Sequence, residues 1–180
     1  MDFYLLWVAF LLGVIEGVTE FLPVSSTGHL IIGANLLGYE SASSKVFEIV
    51  IQLGAIFAVL VEYRKKLIST FTGIHKDRIA QTFTLNLFIA FIPAAILGFF
   101  FHSHIKLYLF NPMVVGIALV VGGIIMILIE KKLPNRPKTD IDKISNHQSF
   151  IIGVAQCFSL IPGVSRAAST IMGGLIAGLD

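Results

Sequence analysis

Glu16 and Glu20 stand four residues apart inside an apolar run, Phe3 to Leu22, that is long enough to cross a bilayer. That spacing puts both carboxylates on one face of a helix, where like charges repel. Either one carboxyl is protonated or a cation bridges the pair. Oxygen ligands of this kind suit Mg²⁺ or Ca²⁺, and Mg²⁺ characteristically joins protein carboxylates to substrate phosphates. An ionised group at the bilayer centre costs about 2.5–3.5 kcal/mol, and two cost about 5–7. The nine Leu, Ile, Phe and Val residues from Phe3 to Ile15 return only about 3–5 kcal/mol. Carboxylates kept at that cost point to chemistry rather than to anchoring.

The chain continues Pro23-Val-Ser-Ser-Thr-Gly-His29. Ser25, Ser26 and Thr27 are types that cap a helix resuming after the proline. His29 lies within a helical turn of Ser25 and Ser26, so its ring is expected to reach a hydroxyl, the arrangement of an activated nucleophile. A second polar break, Pro162-Gly-Val-Ser-Arg-Ala-Ala-Ser-Thr170, supplies a complement. Arg166 is the only arginine outside the basic loops, and its planar fork matches phosphate oxygens. A helix start at the same point also favours an anion, and Ser165, Ser169 and Thr170 add hydroxyls. Carboxylates on one broken helix and an anion clamp on the other describe a metal-assisted phosphate site. Glu48 and Gln52 share a face of another apolar run, where site support and packing within a bundle explain them equally well. His75, His102, His104 and His147 lie in or beside polar loops and suggest no site.

The elements that must position these groups are transmembrane in character. Of the 180 residues 56% are hydrophobic and 13% charged, and mean hydropathy is +0.87. Soluble domains carry about 25% charged residues, so the composition is that of an all-α polytopic membrane protein. A net charge of +2, with no Arg/Lys stripe, excludes nucleic acid as a partner. A single Cys157 excludes an internal disulfide. Further apolar runs cover Val46–Glu62, Phe83–Phe101 with Pro93 inside as an expected kink, Pro112–Ile129, and Phe150–Ile161 followed by Ala167–Leu179. Ten of the 13 basic residues fall in two loops: Arg64, Lys65, Lys66, Lys76 and Arg78, then Lys131, Lys132, Arg136, Lys138 and Lys143. The positive-inside rule places both in the cytoplasm. Two spans separate them, and the Pro23–His29 break then faces outward.

Gly13-Val-Ile-Glu16 reappears as Gly153-Val-Ala-Gln156, each followed by an apolar pair, a proline and a serine turn. The copies need a one-residue adjustment after the proline. Two broken helices in corresponding halves are the pattern of an inverted-repeat bundle with a site near the membrane midplane. The reading is one membrane domain, 1–180. Its first repeat is 1–130 with the acidic motif 16–29, a cytoplasmic basic loop covers 131–147, and a partial second repeat, 148–180, carries motif 162–170. Both motifs are expected to lie on re-entrant broken helices. The last run, Ile171 to Leu179, is nine residues where a span needs about 20, so the chain reads as truncated at its C-terminus.

Glu16-Gly-Val-Thr-Glu20-Phe-Leu-Pro-Val-Ser-Ser-Thr-Gly-His29, with Pro162-Gly-Val-Ser-Arg166 and Thr170, resembles the undecaprenyl-diphosphate phosphatase family of the bacitracin-resistance type. Phe47-Glu-Ile-Val-Ile-Gln-Leu-Gly54 is similar to that family too. The resemblance implies hydrolysis of undecaprenyl diphosphate to undecaprenyl phosphate and inorganic phosphate at the bacterial cytoplasmic (inner) membrane. That reaction recycles the lipid carrier for peptidoglycan synthesis and confers bacitracin resistance. It implies Glu16 and Glu20 as metal and diphosphate ligands, Ser26 as nucleophile, His29 as base, Arg166 as phosphate clamp, and Ser25, Ser165 and Thr170 as binding groups. Ala167 departs from the family, which reads Ser after the Arg. Family members also run on by about a third.

Implied partners are a polyprenyl diphosphate, membrane lipids and Mg²⁺ or Ca²⁺, with a homo-oligomer left open. Attack by Ser26 and attack by a water that His29 activates both fit. The repeat and broken helices alone also fit a transporter or lipid flippase that uses the same carboxylates and arginine without bond cleavage.

Overall fold

The computed structural model describes residues 3–39, 42–109, 111–133 and 139–180. Side chains at 42–45, 48 and 112 lie outside that set, as do Arg136 and Lys138 of the second basic stretch. Among the described residues the chain is all-helical: α1 (Phe3–Thr19), α2 (Ser26–Leu36), α3 (Ala42–Glu62), α4 (Arg64–Gly73), α5 (Arg78–Tyr108), α6 (Pro112–Lys132), α7 (Asn146–Gln156) and α8 (Arg166–Ile176). Short 3₁₀ turns occupy Ile141–Lys143 and Cys157–Leu160.

Both polar breaks interrupt helices as the prolines dictate. α1 ends at Thr19, four residues before Pro23, and α2 folds back against it. Its Val8 and Leu12 pack with Leu30 and Ala34 of α2 in a small buried core, flanked by Phe47 and Ile51 of α3. The second hairpin runs from α7 through the 3₁₀ turn to α8 and lies along α5. Gly153 makes that approach possible, since a Cβ there would stand 2.6 Å from the Ala90 carbonyl oxygen. α6 touches both α2 and α8 and so bridges the two hairpins.

α5 and α6 are the two described helices long and apolar enough to cross a bilayer. Their outward faces are apolar, with Phe91 60%, Phe99 83% and Val120 63% exposed. Pro112 opens α6 at a position where a missing N–H costs nothing, and Asn111 Oδ1 accepts from Val114 N at 2.9 Å. Pro93 does not end α5, which continues through it for fifteen residues to Tyr108.

One stretch differs from expectation. Arg64–Gly73, read as basic loop, is helical. No proline or glycine precedes Gly73 there, and Arg, Lys and Leu are good helix formers. Lys66 of α4 pairs with Asp142 and sits 4.8 Å over the Phe83 ring. Asn86 Nδ2 donates to Ile144 O at 2.6 Å. These contacts bring α4 and residues 142–144 together beside the N-terminal part of α5.

Candidate anion site

Two helix starts face one polar cavity of about 70 Å³. From the first hairpin come Glu20, Ser25, Ser26 and Thr27, and from the second Ser159, Val164, Ser165, Arg166 and Ala167. Gln52 of α3 completes the lining. N–H groups at a helix start carry partial positive charge, so two of them on one cavity, with a guanidinium, favour an anion.

Local chemistry builds both starts the same way. Ser25 Oγ accepts from Gly28 N at 3.4 Å, and Ser165 Oγ accepts from Ala168 N at 3.2 Å. The backbones differ. Ser25 holds φ 64°, a left-handed value costing a residue with a Cβ about 1–3 kcal/mol. Ser165 caps from an extended backbone at φ −66°, because Gly163, at φ 95°, takes the left-handed turn instead. Gly163 is also pressed on α6, where a Cβ would lie 2.6 Å from Val115 O.

Ser26 donates its hydroxyl to the Glu20 carboxylate. Arg166 stands on the opposite side of the repeat, solvent-accessible, with no ion pair or hydrogen bond to its guanidinium among the described residues. A donor fork and a carboxylate–hydroxyl pair therefore share one cavity without neutralising each other.

The remaining expected residues are placed differently. Glu16 is 1% exposed and continues the buried Val8–Leu12 stripe of α1, so it lies behind the cavity rather than on it. Glu20 N still bonds Glu16 O at 2.9 Å, so the helical turn persists between the two acids. His29 does not meet a hydroxyl. Its Nδ1 lies 2.9 Å from the Ser25 carbonyl, while the Ser25 hydroxyl accepts from Gly28 N and the Ser26 hydroxyl donates to Glu20. A carbonyl only accepts, so Nδ1 carries the proton and the neutral ring has Nε2 as its basic atom. The ring is exposed and outside the cavity lining. Thr170 Oγ1 is turned back on Arg166 O and Ala167 O, both at 3.1 Å, and Thr170 is not in that lining either. Ser159 carries no sequence signal: it is one serine in an apolar run. Gln52 carries a weak one, being the only polar side chain between Ile49 and Val61.

Among the described residues no three His, Cys, Asp or Glu side chains gather into a metal-ligand group. A single cavity-facing carboxylate, with hydroxyls beside it, still fits the usual Mg²⁺ pattern of one or two carboxylates completed by substrate phosphates and water.

Beside the polar cavity lies an apolar one of about 640 Å³, between α6 and the α7–α8 hairpin. Ile117, Val121, Ile125, Phe158 and Met172 line it, and Ser25, Val164 and Ser165 border both cavities. A charged head and an apolar tail on one molecule would find adjoining compartments.

Comparison with known proteins identifies the family. The family described as bacitracin resistance protein BacA matches residues 9–180. An undecaprenyl-diphosphatase of Neisseria gonorrhoeae (strain ATCC 700825 / FA 1090) is 50% identical over 182 residues, covering all of this chain and 66% of that protein. Those of Methylobacillus flagellatus and Nitrosomonas europaea are each 50% identical, with 68% and 66% of their lengths covered. The chain thus spans about two thirds of the length of these curated relatives. With the match running through both polar motifs and nearly every helix, the chain belongs to the BacA family of bacitracin resistance proteins.

Proposed function

We propose that the cavity is the phosphate-handling site of an undecaprenyl-diphosphate phosphatase. The protein would cleave the lipid diphosphate to undecaprenyl phosphate and inorganic phosphate, and so recycle the carrier for peptidoglycan synthesis and confer bacitracin resistance. The observation that carries this reading is the meeting of Glu20 and Ser26 from one hairpin with Arg166 from the other. The apolar cavity alongside suits the first isoprene units of the tail.

In this reading Arg166, Ser165 and the start of α8 hold the terminal phosphate. Ser26 attacks its phosphorus while Glu20 accepts the hydroxyl proton. The bond to the bridging oxygen breaks, polyprenyl phosphate leaves, and a phosphoserine remains. A water then cleaves the phosphoserine, its proton relayed through a second water to His29 Nε2, which stands outside the lining, while Glu20 returns its proton to Ser26 Oγ and phosphate is released. Ser25 fixes the imidazole through its carbonyl and borders both compartments, and Thr170 steadies the first turn of α8 that carries Arg166. Glu20, with Glu16 behind it, would hold Mg²⁺ or Ca²⁺, which would neutralise charge developing on the diphosphate oxygens.

The two hairpins are read as re-entrant segments of a multi-pass protein of the bacterial cytoplasmic membrane, their turns facing outward. The exclusion of Lys and Arg from residues 3–39 supports that side.

The test is release of inorganic phosphate from a polyprenyl diphosphate by the purified full-length protein in detergent. Metal-dependent release that disappears in Ser26→Ala is the expected result. Movement of the lipid across liposomes without phosphate release would replace this reading with transport.

A further inference from the structure

From Ile49 to Val61 every side chain of α3 except Gln52 is apolar or glycine. The large ones stand open to the surroundings, as Ile49 and Phe57 do. An amide carried into hydrocarbon costs about 2–7 kcal/mol unless a hydrogen bond compensates. Gln52 sits in the middle of its helix, so it caps nothing, and among the described residues its amide has no hydrogen-bond partner. It is half-buried, and it lines the polar cavity together with Glu20, Ser26 and Arg166. Its amide therefore faces the polar compartment rather than hydrocarbon, where the oxygens of a bound anion can accept from it.

We infer that Gln52 is a substrate-binding residue that donates from Nε2 to a non-bridging oxygen of the diphosphate, a contact neither hairpin supplies. The inference rests on the phosphatase reading. An amide is the group the position calls for. A lysine there would compete with the divalent cation for Glu20, and a carboxylate would repel the substrate. Gln52 instead offers two donors with no charge, and its carbonyl oxygen can accept from a water or a hydroxyl at the same time. A third helix thereby fixes the rotation of a headgroup that Arg166, Ser165 and the start of α8 would hold by one end.

The test uses the full-length protein in detergent, with Gln52→Leu and the isosteric Gln52→Glu. KM and kcat are measured for phosphate release, and direct binding of pyrophosphate is measured by calorimetry. Leu is expected to raise KM and the pyrophosphate Kd together by about 10- to 100-fold, the worth of a hydrogen bond to a charged group. Its thermal midpoint should be unchanged or higher, since Leu suits α3. Glu should lose more than Leu, having both no donor and a repelling charge. Wild-type KM and pyrophosphate Kd in Leu, or Glu no worse than Leu, would overturn the inference. Should the unmutated protein release no phosphate, the phosphatase reading fails, while pyrophosphate binding still decides the role of Gln52.

Discussion

In the first hairpin the residue that caps the returning helix, Ser25, is two beyond its proline; in the second, Ser165 is three beyond. The extra residue accounts for the one-residue adjustment between the sequence repeats. With it, Gly163 takes the left-handed backbone at φ 95° and Ser165 caps unstrained. Without it, Ser25 must both turn the chain, at φ 64°, and cap α2. The same motif thus yields one relaxed hairpin, holding the cation Arg166, and one strained hairpin, holding Glu20, Ser26 and His29. Strain of this kind collects where geometry is over-determined, and here it falls on the residue whose carbonyl meets His29 Nδ1. In the phosphatase reading this becomes a division of labour: the relaxed copy would bind and the strained copy would react.

The largest expected effects test that division directly. Arg166→Ala should lower kcat/KM for phosphate release by about 10²–10³-fold, and Glu20→Gln by a similar factor, as for removal of a preorganised electrostatic group. Arg166→Lys should recover only part of the loss, because an ammonium cannot present the planar fork. Phosphate-release kinetics on purified variants that still insert into membranes read both, and wild-type turnover in either Ala or Gln variant would remove these roles.

Next in size is a pair of substitutions at equivalent places in the repeat. Gly153→Ala drives a Cβ to 2.6 Å from Ala90 O and should destabilise by about 1–3 kcal/mol, the usual range for overpacking. Gly13→Ala meets nothing within 4 Å and should stabilise by up to about 1 kcal/mol through helix propensity. Thermal midpoints in detergent should move in opposite directions. Equal shifts would mean that the two copies pack alike.

The smallest effect concerns the caps. Ser25→Gly loses a cap worth a few tenths of a kcal/mol relative to glycine but relieves the left-handed strain, so stability should stay level or rise by up to about 1 kcal/mol. Ser165→Gly relieves nothing and should fall by a few tenths. Midpoints that drop equally would show that Ser25 carries no strain.

Much of this was legible in the chain because prolines and charges are hard constraints. Pro23 and Pro162 forced the two breaks, and the cost of Glu20 and Arg166 in apolar runs marked out two residues that the fold brings to one cavity. α4 was not legible, because Arg64-Lys-Lys66 reads as polar loop although it contains no helix breaker. The partner of His29 was not legible either. Spacing allows a hydroxyl or a carbonyl, and the ring takes the Ser25 carbonyl. The different depths of Glu16 and Glu20 arise where α1 ends at Thr19, which no local propensity fixes. Gln52 and Ser159 join the cavity through tertiary packing alone.

Convergence of an acid–hydroxyl pair and a guanidinium on one phosphate group is the point on which everything else turns. A double-mutant cycle on pyrophosphate binding, with Ser26→Ala and Arg166→Lys singly and together in the presence of Mg²⁺, addresses it most directly. Residues that grip one anion couple, so the double variant should bind no more than about threefold weaker than the worse single one, with an interaction energy of about 0.5–3 kcal/mol. Losses that simply multiply would place the two groups on separate sites and contradict the account.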